Sequence, residues 1–275
     1  MTREELTDNV PASKRSNAFT ELMSAAKKPK PTSPNPAEDL PEPRRRGWDP
    51  RDGLGIYAER PKDNPEGRVV DYDDDFVVIR DKFPKASVHL LLIPRDPKVY
   101  FQHPLALLST SPAFLEKVRT RAARVKALAA SELRRLYPSS ASDAPYQSAL
   151  EAHMSASDPP SPSELASLLP PGRDWEKDIV VGVHTHPSMN HLHIHVISRD
   201  MHSPWLKHKK HYLSFNSSFM VRLDEFPLEI GSPRFKPGDW PKWDMQCWRC
   251  GRNFANKFAE LKRHLEGEFE EWKKE

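Results

Sequence analysis

Short apolar runs alternate with charged turns through the middle of this chain, and they predict strands. Residues 69–72 (VVDY) and 76–80 (FVVIR) flank the acidic turn Asp73-Asp74-Asp75 and predict two neighbouring strands. Residues 88–94 are apolar except at His89, the pattern of a strand buried on both faces. Residues 179–184 and 191–198 predict two more. Between these groups the period changes. Ser111-Pro112 supplies a capping hydroxyl and a first-turn proline, and Phe114, Val118, Ala122, Val125 and Leu128 recur at helical spacing to about Leu136. Residues 52–59 predict a short helix despite two glycines. Residues 138–172, rich in Ser, Pro and Ala, read as an insertion with one short helix at 145–153. The last stretch, 247–275, reads as a cysteine-containing turn followed by a charged helix.

Residues 1–46 lack this patterning. Proline and charge dominate, which predicts a mostly disordered tail, with Phe19, Leu22 and Met23 at helical spacing within 17–26. The expected organisation is therefore a tail (1–46), a main domain (47–232) and a small C-terminal unit (233–275). The predicted class is α+β. A length of 275 residues suits one medium domain with an appendage, and a 37% hydrophobic share with 28 prolines agrees with an unpacked portion. The net charge of +3 points to no partner by itself. Two cysteines are too few for a disulfide scaffold, so a reducing intracellular compartment is expected. The N-terminus lacks a signal-peptide core, and no apolar run approaches the ~18 residues of a membrane span.

Candidate chemistry centres on HLHIHVI. In a strand, His191, His193 and His195 share one face while Leu192, Ile194 and Val196 share the other. Such a row suits either of two chemistries. Three imidazoles can bind zinc. Alternatively, the middle one can attack phosphorus while its neighbours orient it and hold phosphate oxygens. A second constellation is C-x2-C-x13-H-x3-E, formed by Cys247, Cys250, His264 and Glu268. His264 and Glu268 are four apart on a predicted helix and share a face. Phe254, Phe258 and Leu261 make too small a core alone, so a structural Zn2+ is expected. The cluster Lys207-His208-Lys209-Lys210-His211 follows the histidine strand closely, which favours contact with a nucleic-acid backbone.

The histidine run matches the His-φ-His-φ-His-φ-φ signature of the histidine triad (HIT) superfamily of nucleotide hydrolases and transferases. Residues 74–94, the Pro187-Ser188-Met189-Asn190 segment and 203–212 resemble the aprataxin family within it, in its shorter fungal form without a forkhead-associated domain. The resemblance spans about 48–272 and implies a HIT-type antiparallel sheet with flanking helices plus a zinc finger. It implies a DNA-repair hydrolase that removes AMP from 5′-adenylated DNA through a covalent AMP–histidine intermediate, with 3′ guanylate caps and adenylated RNA–DNA junctions as further substrates. His193 would be the nucleophile and His195 a donor to phosphate oxygens. His191 would support them, and His184 and Ser188 would act near the leaving phosphate. Asp81, Phe83, Lys85, Leu90, Met189 and Asn190 would form the nucleotide pocket. Trp48 would stack on a base, and Lys207, His211, Arg249 and Arg252 would contact DNA. No organic cofactor or membrane is implied. The expected protein is a nuclear monomer. Three alternatives remain: a HIT hydrolase of small nucleotides, a non-catalytic DNA-binding scaffold, or a catalytic zinc on the histidines.

Overall fold

The computed structural model describes residues 49–275; the expected tail, the helical spacing expected within 17–26 and Trp48 lie outside them. The predicted strands pair into one antiparallel sheet of order β1-β2-β3-β5-β4-β6. These are β1 (Val69–Tyr72), β2 (Phe76–Arg80), β3 (His89–Pro94), β4 (Ile179–His184), β5 (Ile194–Ser198) and β6 (Met220–Arg222). Only β6 has no counterpart among the predicted strands, since three residues give no readable alternation. The acidic turn closes on itself: Asp73 accepts from the backbone N–H groups of Asp75 and Phe76 at 2.9 and 2.7 Å.

Register decides what each sheet face holds. Leu90 pairs with Val196 and Leu92 with Ile194, so their side chains join Leu192 on one face. That face is covered by α2 (Pro104–Thr110) and α3 (Pro112–Leu136). Ser111 caps α3 by accepting from Phe114 N–H, and Leu115, Val118, Ala122, Val125, Ala129 and Leu133 form its buried stripe. The opposite face carries His89, Leu91 and Ile93 beside His195 and Ile197. At one end α1 (Gly55–Glu59) packs with Leu54 against Val77, Ile79, Leu91 and Ile93. At the other end Ile197 joins the apolar cluster of the C-terminal unit. The histidines occupy the gap between these two covers.

The ladder ends before the triad does. Residues 191–193, predicted as strand, are not in β5. Leu192 N–H donates instead to the Tyr100 carbonyl at 2.7 Å, outside any named strand. Side-chain alternation nevertheless continues, with Leu192 buried in the core.

The predicted insertion is anchored. It contains α4 (Ala144–Met154), as expected, and α5 (Pro162–Leu168), which was not. A reciprocal Ser161/Glu164 capping box starts α5. Fully buried Asp143 accepts from Arg173 N–H, Arg134 and the Trp175 indole, tying the segment to the main domain. After α6 (Lys209–Leu213), the last helix is α7 (Phe258–Trp272). Leu261 and Leu265 serve the C-terminal cluster, but Phe269 and Trp272 belong to the main core. Trp272 meets Trp175 at 5.5 Å between ring centroids, and His202, just past β5, stacks on Phe269 at 3.9 Å and 8°. No helix among the described residues is long and apolar enough to cross a membrane.

Trp272→Ala should therefore lower the stability of the whole described fold by about 3–5 kcal/mol. Chemical denaturation should show one transition at lower denaturant. Separate transitions for the finger and the sheet would contradict the shared core.

Candidate active site

Buried His193 has one clear fixed bond, from its Nδ1 to the His191 carbonyl at 2.8 Å. A carbonyl only accepts, so Nδ1 carries the proton and Nε2 presents a lone pair. The His195 tautomer follows from a chain of bonds. Lys85 N–H donates to His89 Nδ1 at 3.3 Å, so the His89 proton sits on Nε2. His89 Nε2 lies 3.0 Å from His195 Nδ1 and donates to it. The His195 proton is thereby placed on Nε2, which is buried and has no hydrogen-bond partner among the described residues. His184 Nε2 is likewise buried and unpartnered, and the two rings lie 4.3 Å apart. Buried polar atoms without partners are costly. An incoming anion oxygen can satisfy the His195 donor.

The centre is dry. Phe215 stands edge-on to His89 and His195, at 5.3 and 5.2 Å. Burial lowers the pKa of His193, and burial with neighbouring imidazoles brings His195 well below the usual 6.5. Burial is also the main cause that takes His89 to about 4 and His184 to about 3. The imidazoles are thus neutral at physiological pH. Burial opposes ionisation of Asp81, but His89, the Phe83 N–H and Lys85 together hold its carboxyl below the ordinary value. His191 packs against Tyr100 and Phe101, and its ring lies 2.9 Å from where a Cβ on Gly55 would stand. Only glycine fits there without displacing the residue whose carbonyl holds His193.

A cleft of about 390 Å³ opens over this face. Of the predicted residues, Asp81, Lys85, His184, Ser188, Met189, His193, His195 and His211 line it. His191 supports it from beneath through its carbonyl. Several expectations need correction. Leu90 is on the opposite sheet face, in the core under α3, because strand parity sends Leu91 to the cleft instead. Phe83 does not wall the cleft; it is exposed and leans edge-on against Trp205. Asn190 does not line it either, since its amide donates to Asp49 and Asp52 and fastens the segment before α1. Arg249 is not a free surface cation, because its guanidinium holds Glu268 and Glu275. Arg252 is exposed and lies 5.1 Å over the Phe254 ring. Lys207 lies outside the cleft, with Nζ 4.4 Å over the Trp205 ring. His89 and Leu91 are lining residues that the sequence reading does not assign, as are His186, Phe219 and Trp240. A lone polar residue in an apolar strand was the available signal for His89. Phe215, also in the lining, is placed by loop packing that no periodicity announces, and Lys210 of the basic cluster reaches the lining from α6.

Ligand atoms of Cys247, Cys250, His264 and Glu268 all lie within 4.8 Å of one another. His264 Nε2 is 3.1 Å from both Cys250 Sγ and Glu268 Oε1. The cysteine knuckle turns on Gly251, whose N–H returns to the Cys247 carbonyl at a φ of 75°. One carboxylate oxygen of Glu268 is taken by Arg249, leaving Oε1 turned to the cage. Two sulfurs, an imidazole and a carboxylate fit tetrahedral zinc. Asp81, His89 and His195 also converge, but a metal there would have to break the His89–His195 hydrogen bond.

Known proteins place these features in context. The HIT domain family matches residues 62–202, and a C2HE / C2H2 / C2HC zinc-binding finger matches 216–271. The chain is 34% identical to an aprataxin-like protein of Schizosaccharomyces pombe, over 94% of this chain and 95% of the relative. It is 35% identical to an aprataxin-like protein of Saccharomyces cerevisiae, over 80% and 95%. The aprataxin ortholog Hnt3, solved in complex with DNA, superposes with a TM-score of 0.59 at 32% identity, over 81% of this chain and 96% of that one. A further Hnt3 structure, with DNA and guanosine, gives a TM-score of 0.58 at the same identity and coverage.

Two measurements check this geometry. His89 and His184 have folded pKa values below the 6.5 of an unfolded histidine, so the unfolded chain takes up protons first as pH falls. Their contribution to stability should be complete above pH 6.5 and be lost as pH falls toward about 4 for His89 and about 3 for His184. Unfolding free energies at pH 7 and 5 should differ less in His184→Gln than in the unaltered protein; an identical slope would contradict the assignment. Metal analysis should find one zinc per chain, absent in Cys247→Ser. Two per chain would put a metal on the histidines.

Proposed function

The chain belongs to the aprataxin family of HIT-domain proteins, a DNA-repair nucleotide hydrolase by kinship, and on that premise we propose that it removes AMP from 5′-adenylated DNA ends. The carrying observation is the pairing of a bare His193 Nε2 with the unpartnered His195 Nε2–H in one cleft.

In this reading His193 Nε2 attacks the adenylate phosphorus. A nitrogen–phosphorus bond forms and the bond to the bridging oxygen of the DNA 5′-phosphate breaks. The leaving electron pair departs on that phosphate, a good leaving group that demands little of an acid. The His191 carbonyl keeps its hydrogen bond to Nδ1–H and steadies the positive charge that develops on the ring. His195 Nε2–H donates to a non-bridging oxygen, and His89 holds it in that tautomer. His184 and Ser188 face the leaving phosphate, with Lys85 and His211 supplying positive or donor character alongside. Asp81 accepts from ribose hydroxyls, and Leu91 and Met189 offer apolar wall to the adenine. Water then cleaves the phosphoramidate, releasing AMP and restoring His193.

Zinc held by Cys247, Cys250, His264 and Glu268 would stabilise the finger and take no part in the reaction. The setting is a monomer acting in the nucleus. Guanylate caps on 3′ ends form a second substrate class, favoured by the relative solved with DNA and guanosine.

Incubation with a 5′-adenylated nicked duplex should release AMP. His193→Ala should abolish release by roughly 10³-fold or more, and His195→Ala should lower kcat by about 10²–10³. Full activity in His193→Ala would overturn the reading. Much faster turnover of adenosine phosphoramidate than of DNA would move the function to small nucleotides.

A further inference from the structure

Phe83 and Trp205 are 46% and 38% exposed, although side chains of this size are usually buried to a greater extent. Their rings meet at 4.8 Å between centroids and 66°, so they form a step rather than two separate patches. The step is built into place before any ligand arrives. Ser203 Oγ donates to the Pro84 carbonyl at 2.6 Å and accepts from Trp205 N–H at 3.1 Å, tying the two loops together. Phe83 N–H donates to Asp81 at 2.7 Å. Pre-ordering of this kind lowers the entropy cost of stacking.

Position and charge indicate the occupant. Phe83 sits between Asp81 and Lys85, which line the cleft, and the Trp205 carbonyl lies 3.2 Å from Nδ1 of His211, which also lines it. Lys207 stands 4.4 Å over the Trp205 ring. Lys85, Lys210 and His211 therefore lead from the reactive imidazoles out to the step, a path suited to a polyanion. Met189 and Leu91 pack with the α1 cover instead, which leaves the adenine of AMP no need of this side. An aromatic surface beside cations is the usual means of holding an unpaired base and its phosphate.

We infer that the Phe83–Trp205 step stacks on the nucleobase of the first nucleotide of the DNA strand, the one whose 5′-phosphate is released when His193 takes the adenylate. The inference rests on the DNA-end reading above, but it is tested by binding rather than turnover. The probe is a duplex whose 5′-phosphorylated terminal nucleotide is unpaired, prepared with and without that base. At fixed salt, removal of the base should weaken binding to the unaltered protein by about 5- to 100-fold. Trp205→Ala should show a similar loss on the intact probe and little further loss on the abasic one. Trp205→Phe should retain most of the affinity. AMP should inhibit the unaltered protein and Trp205→Ala at the same concentration. An unchanged thermal midpoint checks that Trp205→Ala folds. Equal losses on base removal in both proteins would overturn the inference, as would unchanged binding by Trp205→Ala. A parallel loss of AMP inhibition would place the adenine on the step and equally overturn it. A protein that binds the probe as described yet frees no AMP from adenylated DNA would lose the proposed reaction and keep the step.

Discussion

Imidazoles packed ring against ring under Phe215 tolerate one another only while uncharged. That requirement governs the rest of the site. A neutral imidazole has one donor and one acceptor, so each fixed bond at one nitrogen determines the other. The His191 carbonyl leaves the His193 lone pair facing the cleft. The Lys85 N–H, passed through His89, leaves a donor on His195. Backbone atoms at the edge of the sheet thus assign opposite roles to two chemically identical side chains two residues apart. The bare nitrogen and the waiting proton come from the same burial, which keeps both rings neutral, and from the bonds that fix their tautomers.

The sheet makes this possible by separating its two jobs. One face is closed by α3 and stores most of the apolar burial. The other is covered at both ends and left open in the middle. β5 lies between β3 and β4 and contributes to both faces at once, so the stability of the core and the placement of the histidines cannot be altered independently. The early end of the β5 ladder has the same origin. At His191 the chain gives up regular pairing, and its carbonyl becomes available to a side chain two residues ahead.

Much of this was readable before any coordinates. Period-2 alternation gave the triad face, and the Ser111-Pro112 cap and its stripe gave α3 nearly to the residue. The spacing of Cys247, Cys250, His264 and Glu268 gave the cage. What could not be read was the relation between separated strands. Alternation within 88–94 defines two sets of residues, but only the pairing of His89 with Ile197 says which set joins the histidines. Leu90, which the resemblance implies for the nucleotide pocket, falls on the core face, and His89 and Leu91 fall on the other. The other misplacements concern side chains whose role depends on a distant partner. Arg249 found two carboxylates, Asn190 found two more, and Phe83 found Trp205; no local pattern encodes such meetings. The insertion misled for a related reason, because its Ser- and Pro-rich composition hides the buried Asp143.

The flat stack of His202 on Phe269 is a small contact, but it joins the segment that follows β5 and the histidine row to the helix that bears two ligands of the metal cage. Trp272 on the same helix, set among Trp175 and Tyr137, ties the finger to the core under the sheet a second time. The two working surfaces therefore behave like the jaws of a fixed gauge. The distance between the histidine face and the metal cage is a spacing set when the chain folds.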